Sequence, residues 1–167
     1  MTNTLMLPEV QAILNRLHAL AEARDDAIIQ QVRGPGSTWE SATSEQRATL
    51  LRDALLPIPR SGGQFLYAVA RSISAARIVE FGTSFGVSTI YFAAALRDGG
   101  GGLVIGSELD ATKVAKANQH GPVPEQLDSF VLICYDFEGV IMELFVLCKD
   151  ARQWSGLLQR SSIDSGL

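Results

Sequence analysis

The stretch that most constrains the fold is RIVEFGTSFGVSTIYFAAALRDGGGGLVIGSELD, residues 77–110. An almost wholly apolar segment turns at Gly82 and Gly86, continues as a helical segment and reaches a second apolar segment after the glycine run 99–102. Short apolar strands separated by a helix are typical of parallel strands covered on both faces. The sequence therefore predicts a right-handed parallel β–α–β unit, followed by a helix that Asp110 caps.

Length and composition limit the class of protein. The 167 residues are enough for one domain with a sizeable core, and 47% hydrophobic with 19% charged residues is an ordinary globular balance. A formal net charge of -4 disfavours a nucleic-acid partner, because phosphate binding needs a basic face. Cys134 and Cys148 have neither zinc-ligand nor C-x-x-C spacing and are interpreted as reduced thiols.

The sequence also bears on location. No run of about 18 uncharged apolar residues is present, which predicts no membrane-spanning helix and no membrane partner. MTNTLMLPEVQAIL at the N-terminus lacks the basic start and apolar stretch of a signal peptide. We therefore expect a soluble, cytoplasmic protein.

The first third of the sequence has helical spacing. Apolar residues recur from Pro8 to Val32, which predicts an amphipathic helix interrupted at RDD, 24–26. His18 lies close to the apolar stripe of this helix and is interpreted as a packed or solvated side chain. RGPGS, 33–37, ends the helix.

Two further helices are predicted before the glycine turn. Thr43 and Gln46 have the spacing of a capping box, and GQFLYAVARSIS, 63–74, has helical periodicity. The residues expected to face the core are Leu50, Leu51, Leu55, Leu56, Phe65, Leu66, Val69 and Ile73. Residues 1–60 are interpreted as a helical cap or oligomerisation region, and residues 61–167 as an α/β domain.

The glycine turn indicates the kind of ligand. Gly82 allows a sharp turn and a close approach of the backbone to a ligand, and Gly86 allows a close approach of the helix start. Ser88 and Thr89 are expected to help satisfy the free amides of the first helical turn. The spacing is G-x-x-x-G rather than the G-x-G-x-x-G of dinucleotide sites, and no lysine follows Gly86 as it does in a P-loop.

Two acids sharpen this prediction. Glu80, at the end of the first strand, suits a cationic or amine-bearing ligand, and Glu108, at the end of the second, suits the hydroxyls of a ribose. Both properties fit S-adenosylmethionine. Two alternatives remain open: a generic α/β domain with two solvated acids, and a nicotinamide-dinucleotide binder, which the missing G-x-G disfavours.

Residues 56–118, and VEFGTSFGVSTI, 79–90, most specifically, resemble the class I SAM-dependent methyltransferases, closely a bacterial group of small O-methyltransferase-like proteins. The resemblance implies a Rossmann-like three-layer αβα fold with N-terminal helices, S-adenosylmethionine as cofactor, and methyl transfer to the hydroxyl of a small-molecule acceptor. It implies that the cofactor is held by Glu80, Gly82, Thr83, Ser84, Gly86, Ser88 and Glu108. No metal ligand is assigned.

After Asn118 the sequence departs from this family. Pro122 and Pro124 stop the helix early, and no catalytic base is assigned, since His120 lies in the proline-rich turn. DSFVLICYD, 128–136, faintly resembles the sequence of the fourth strand in the family, with Asp136 at the strand end, although an ordinary strand or a buried helix is favoured.

These departures predict a fold that is incomplete at its C-terminus, with an unassigned tail from about residue 119, as in a truncated or frame-altered product. The alternative to an enzyme is therefore a non-catalytic methyltransferase remnant that at most binds the cofactor, or a subunit completed by a partner. An exposed strand edge predicts a homodimer or aggregation.

Overall fold

The computed structural model describes residues 3–119, 130–133 and 145–148. Single turns of 3-10 helix lie at Thr4–Met6 and Trp39–Ser41. The helices are α1 (Pro8–Arg33), α2 (Ser44–Leu50), α3 (Arg60–Ser72), α4 (Val87–Asp98) and α5 (Ala111–Gln119). The strands are β1 (Arg77–Phe81), β2 (Leu103–Ser107), β3 (Phe130–Ile133) and β4 (Phe145–Cys148).

The strands form one sheet in the order β3-β2-β1-β4. β1 pairs in parallel with β2 and β2 in parallel with β3, while β4 runs antiparallel to β1. The predicted parallel β–α–β unit is therefore present as β1, α4 and β2, and the α/β class is confirmed. In this unit the carboxyl ends of β1 and β2 lie side by side, with Phe81 opposite Ser107.

Part of the segment 128–136 is a strand, in agreement with the favoured interpretation of this segment as an ordinary strand or a buried helix. β3 lies beside β2 at one edge of the sheet, on the side away from β1. His120, Cys134 and Asp136 lie outside the described residues, as does most of the sequence after Gln119. The predictions for that tail therefore stay predictions.

Helix α1 runs without a break for 26 residues, so the predicted interruption at 24–26 is wrong. Residues 24–26 include neither glycine nor proline, and Asp25 is buried rather than solvated. Val10, Leu14 and Leu17 are buried in a cluster that also contains Tyr91 of α4. Within the described part of the chain, no helix is long and apolar enough to cross a membrane.

Helices α3 and α4 pack closely because α3 presents small residues to its neighbour. Gly63 and Ala70 are buried, and a Cβ added at Gly63 would lie 2.3 Å from the ring of Tyr91. Phe65 is 65% exposed and Ile73 is 37% exposed, so the prediction that both face the core is wrong. Leu66 and Val69 are partly buried, and Leu66 packs with Ala70 against Phe92 of α4.

The predicted capping box at the start of α2 is confirmed. Thr43 accepts a hydrogen bond from the Gln46 amide, and the Gln46 side chain accepts one from the Thr43 amide. The helix ends at Leu50, earlier than the leucine spacing suggests. Leu51 and Leu55 are buried as predicted, whereas Leu50 and Leu56 are each 38% exposed and were wrongly assigned to the core.

The start of the described chain is attached to the end of α4 by one carboxylate. Asp98 Oδ2 accepts hydrogen bonds from the Thr4 amide at 2.9 Å and from the Tyr67 hydroxyl at 2.6 Å. Asp98 Oδ1 accepts from the Thr4 hydroxyl at 2.5 Å. This Asp98 cluster, consisting of Thr4, Tyr67 and Asp98, thus joins the first 3-10 turn to α3 and α4.

Candidate functional site

An open pocket of about 200 Å³ lies at the carboxyl end of β1. Two segments that are distant in sequence form it: the linker 55–58, which we call the wall, and residues 82–85 of the glycine turn 82–86. Gly86 is not among the lining residues. Val87 and Ser88 of the first turn of α4 complete the lining. In open α/β sheets a ligand binds beyond the carboxyl ends of the strands, which is the position of this pocket.

Gly82 and Gly86 adopt backbone conformations that favour glycine. Their φ angles are +84° and +83°, in the left-handed region where a Cβ is disfavoured. The amides of Gly82 and Thr83 both donate to the Ser107 carbonyl, at 2.9 and 3.0 Å, which ties the turn to the end of β2. A Cβ at Gly86 would find its nearest neighbour, Ala117, at 3.7 Å. The turn therefore needs a glycine there for its φ angle, and the predicted close approach of the helix start stays a prediction.

Ser84 is the residue at which the two sides of the pocket meet. Its φ angle is +48°, a strained value for a residue with a side chain. Its amide donates to Glu108 Oε2 at 2.7 Å, and its hydroxyl donates to the Leu55 carbonyl of the wall at 2.7 Å. The same hydroxyl accepts a hydrogen bond from Lys113 Nζ at 3.1 Å. These contacts hold the turn against the wall and against α5.

Glu80 is completely buried, with 0% exposure, and is not among the residues that line the pocket. Its two carboxylate oxygens accept hydrogen bonds from the hydroxyls of Ser88 and Thr89. The prediction that these hydroxyls cap the first turn of α4 is therefore wrong, since α4 has no side-chain cap among the described residues. Glu80 fixes the start of α4 beside β1, and its predicted contact with a ligand would have to be indirect.

Glu108 follows β2 and bridges two turns. One carboxylate oxygen accepts from the Ser84 amide, and the other accepts from the Asp110 amide at 3.0 Å. A carboxylate oxygen can accept two hydrogen bonds, so each retains capacity for a ligand hydroxyl. Asp110 in turn caps α5 as predicted, accepting from the amides of Thr112 at 2.8 Å and Lys113 at 3.2 Å.

Lys113 is a site residue that the sequence reasoning missed. Its side chain comes from α5 to the hydroxyl of Ser84, and the residue is only 6% exposed. Burial lowers the pKa of Lys113, against the opposing influence of Glu108, Asp110 and Asp25. The signal in the sequence was its place three residues after the capping Asp110, but nothing there showed that the ammonium turns inward.

Thr83 has an unusual polar atom. The residue is 2% exposed and lines the pocket, and its hydroxyl oxygen has no hydrogen-bond partner among the described residues. A buried hydroxyl left without a partner costs about 1–3 kcal/mol. Such an atom next to Gly82 is a group that a bound ligand can satisfy.

The other polar side chains that line the pocket are the hydroxyls of Ser84 and Ser88. In the part of the chain that the structure describes, no three residues among His, Cys, Asp and Glu lie close enough together to hold a metal ion. The lining therefore presents hydroxyl groups and backbone groups of the glycine turn to a ligand. Glu108 is not among the lining residues, and it is joined to them through its hydrogen bond with the Ser84 amide.

The structure is similar to solved structures that include O-methyltransferases. Rv0187 from MTB, solved with its cofactor bound, is 24% identical, with a TM-score of 0.43. The O-methyltransferase from Bacillus cereus, solved in complex with SAH, is 19% identical, with a TM-score of 0.44. Each match covers 71% of this chain, but 43% and 51% of the respective solved chains.

This chain thus spans about half the length of the solved proteins it matches. A scan against protein-family models finds no match, and a search of curated proteins finds none either.

Proposed function

We propose that the pocket at the glycine turn binds S-adenosylmethionine, and that the protein is a methyltransferase acting on the hydroxyl of a small-molecule acceptor. The observation that carries this proposal is the buried hydroxyl of Thr83, which has no partner among the described residues and lies beside the left-handed Gly82. Both lie in the segment 79–90 that resembles the first motif of the class I methyltransferases. The proposal includes the three-layer form of the fold, of which the described sheet is one layer.

The residues fit one end of such a donor. Gly82 is exposed and leaves its backbone open to a ligand. The Thr83 hydroxyl has no partner in the part of the chain that the structure describes, so a ligand can bind to it. Glu108 accepts from the amides of Ser84 and Asp110 and has lone pairs left for the two hydroxyls of a ribose. The pocket is open to solvent, so the donor would extend beyond it.

A bound S-adenosylmethionine supplies an electrophilic methyl group on a sulfonium. The contribution of this chain is then to bind and orient the donor, because fixing the reacting groups removes much of the entropic barrier to transfer. The hydrogen bonds from Ser84 to Glu108 and to Leu55 keep the turn and the wall in one geometry before a ligand arrives. The small-molecule acceptor is supported by the sequence resemblance, with no nucleic-acid or membrane partner proposed.

The donor site is tested by calorimetry with S-adenosylhomocysteine. We expect saturable heat from the wild type and none from Gly82→Arg, whose side chain would fill the turn. The matched control is Gly36→Arg, since Gly36 has nearly the same φ angle, +80°, with nothing within 4 Å of an added Cβ. Absence of saturable heat from the wild type, or equal affinity in Gly82→Arg, would refute the site.

A second candidate function is donor binding without transfer, because no base for the acceptor hydroxyl is assigned among the described residues. Incubation with S-adenosylmethionine labelled in its methyl group separates the two candidates. Label that appears in any member of a panel of phenols and alcohols supports the enzyme. Donor binding with no transfer across the panel supports the binding protein.

A further inference from the structure

Asp25 lies on α1, far from the glycine turn in sequence, and yet it holds the wall of the pocket. We propose that Asp25 is a positioning residue that fixes the wall against the glycine turn and so sets the affinity of the pocket for the methyl donor. This inference rests on the proposed function and names a residue outside the segment 56–118, over which the family resemblance runs.

Both oxygens of Asp25 are used on consecutive backbone amides of the wall. Oδ1 accepts from the Leu55 amide at 2.9 Å, and Oδ2 accepts from the Leu56 amide at 2.7 Å. Asp25 is 7% exposed, so these hydrogen bonds are shielded from water. Hydrogen bonds to a carboxylate that is shielded from water are among the stronger ones in proteins.

The wall needs such a constraint because Leu56 has a φ angle of +49°. A leucine rarely adopts this left-handed conformation, and residues held in it cluster at ligand sites. Without the carboxylate, the Leu56 backbone is free to return to negative φ angles, which redirects the wall. Leu56 is 38% exposed, so burial of its own side chain does not enforce the conformation.

The constraint extends from the wall to the glycine turn. The Leu55 carbonyl accepts the hydroxyl of Ser84, whose amide is held by Glu108. Leu56 and Ser84 are thus two strained residues lining one pocket, each with its amide bound to a carboxylate. The hydrogen bond between Leu55 and Ser84 thus connects the carboxylates of Asp25 and Glu108 through the pocket lining.

Loss of Asp25 is expected to act locally. The segment before the wall is held separately, since Arg52 forms a salt bridge of 2.7 Å with Asp110. Lys113 is a buried cation that interacts with Asp25 as well as with Glu108 and Asp110. It therefore keeps two other acidic partners when Asp25 is replaced by asparagine. We therefore expect a change in the wall and in Ser84 rather than throughout α1 and the sheet.

The test compares Asp25→Asn with Asp26→Asn, the exposed neighbouring acid on the same helix. Asparagine keeps the shape of the side chain and one acceptor oxygen, but places an NH₂ group against the second amide. Calorimetry with S-adenosylhomocysteine is expected to show a loss of affinity of about tenfold or more in Asp25→Asn, or roughly 1.4 kcal/mol. Asp26→Asn is expected to match the wild type.

Hydrogen exchange on the ligand-free variants distinguishes positioning from a general loss of stability. In Asp25→Asn, protection should fall at the amides of Leu55, Leu56 and Ser84 and persist in β1 and α4. Uniform loss of protection would make Asp25 a structural residue only and overturn the inference. Leu56→Gly in the Asp25→Asn background is expected to recover part of the affinity, because glycine adopts φ near +49° without strain.

A second variant tests the same inference if Asp25→Asn fails to fold. Leu56→Pro fixes φ near −65° and removes the amide, while Asp25 and α1 stay unchanged. It is expected to weaken binding of S-adenosylhomocysteine by about tenfold or more. A wild type that binds with both variants unaltered in affinity overturns this inference alone. A wild type that does not bind overturns the proposed function and this inference together.

Discussion

The pocket and the Asp98 cluster are both places where a few polar side chains join distant segments, but they are built in opposite ways. In the Asp98 cluster, each carboxylate oxygen has a described partner, and Thr4, Tyr67 and Asp98 all have negative φ angles. At the pocket, Ser84 and Leu56 have positive φ angles, and the Thr83 hydroxyl lacks a described partner.

This difference separates stabilisation from binding. A satisfied, unstrained cluster contributes to the free energy of unfolding and has little left to offer a ligand. Strain and an unpaired polar atom lower stability, and they persist where the surrounding structure enforces them, as at ligand sites. Changes in the Asp98 cluster should therefore act on unfolding, and changes at the pocket on binding.

The largest expected effect is on unfolding. Asp98→Ala leaves the Tyr67 hydroxyl and two donors of Thr4 without their acceptor, which should lower the free energy of unfolding by about 3 kcal/mol. Urea titration measures this loss, with Asp26→Ala as an exposed-acid control. If folded Asp98→Ala no longer binds S-adenosylhomocysteine, the Asp98 cluster also affects binding, and the assignment of stability to this cluster and of binding to the pocket is contradicted.

The next effect is on binding. Glu108→Gln places an NH₂ group against the amide of Ser84 or Asp110, and should weaken binding of S-adenosylhomocysteine by about 30-fold, or roughly 2 kcal/mol. Calorimetry measures the change, and Glu45→Gln on α2, an exposed position, serves as the control. Unchanged affinity in Glu108→Gln would show that the pocket does not depend on this carboxylate.

A smaller effect should have opposite signs for stability and for ligand affinity. Thr83→Val keeps the side-chain shape and removes a hydroxyl that has no partner among the described residues, so the ligand-free protein should gain about 1 kcal/mol of stability. Affinity for S-adenosylhomocysteine should fall about fivefold or more if the ligand satisfies that hydroxyl. Thermal unfolding with and without ligand measures both. A loss of stability in Thr83→Val would mean that the hydroxyl already has a partner.

The last effect is the pH dependence of the Asp98 cluster. Burial, with the hydrogen bond to Asp98 second, raises the pKa of Tyr67 from 10.0 to about 12. The folded state then holds a proton that the unfolded state loses, so this stabilisation is present below pH 10 and is lost as the pH rises towards 12. Burial alone would raise the pKa of Asp98, but hydrogen bonds from Thr4 and Tyr67 lower it below 3.8 overall.

The contribution of Asp98 is therefore present above pH 3.8 and is lost as the pH falls below it. Urea unfolding across both ranges, for the wild type and Tyr67→Phe, isolates the alkaline part. The phenylalanine variant should lose less stability than the wild type between pH 10 and 12. Parallel curves for the two proteins over that range would contradict the assignment to Tyr67.

The features that were predictable from sequence are those that depend on neighbouring residues. The capping box of Thr43, the cap at Asp110 and the left-handed turn at Gly82 each follow from residues within a few positions of one another. The parallel pair β1 and β2 was predictable for the same reason, since an apolar strand, a helix and a second apolar strand leave few arrangements.

What could not be predicted depends on which distant group a side chain meets. Ser88 and Thr89 have the right position to cap α4, but the buried carboxylate of Glu80 is the acceptor they meet instead. Asp25 looked like a helix interruption, because nothing near it in sequence shows that two amides 30 and 31 positions later face it. Lys113 was missed for the same reason.

The most direct test of the central claim is an amide ¹H–¹⁵N spectrum of the wild type titrated with S-adenosylhomocysteine. We expect saturable shifts at Gly82, Thr83, Ser84 and Leu56, which line the pocket, and no shifts at Thr4 or Asp98. A titration that leaves the glycine turn unchanged, or that perturbs the Asp98 cluster more than the pocket, would contradict the assignment of the donor site.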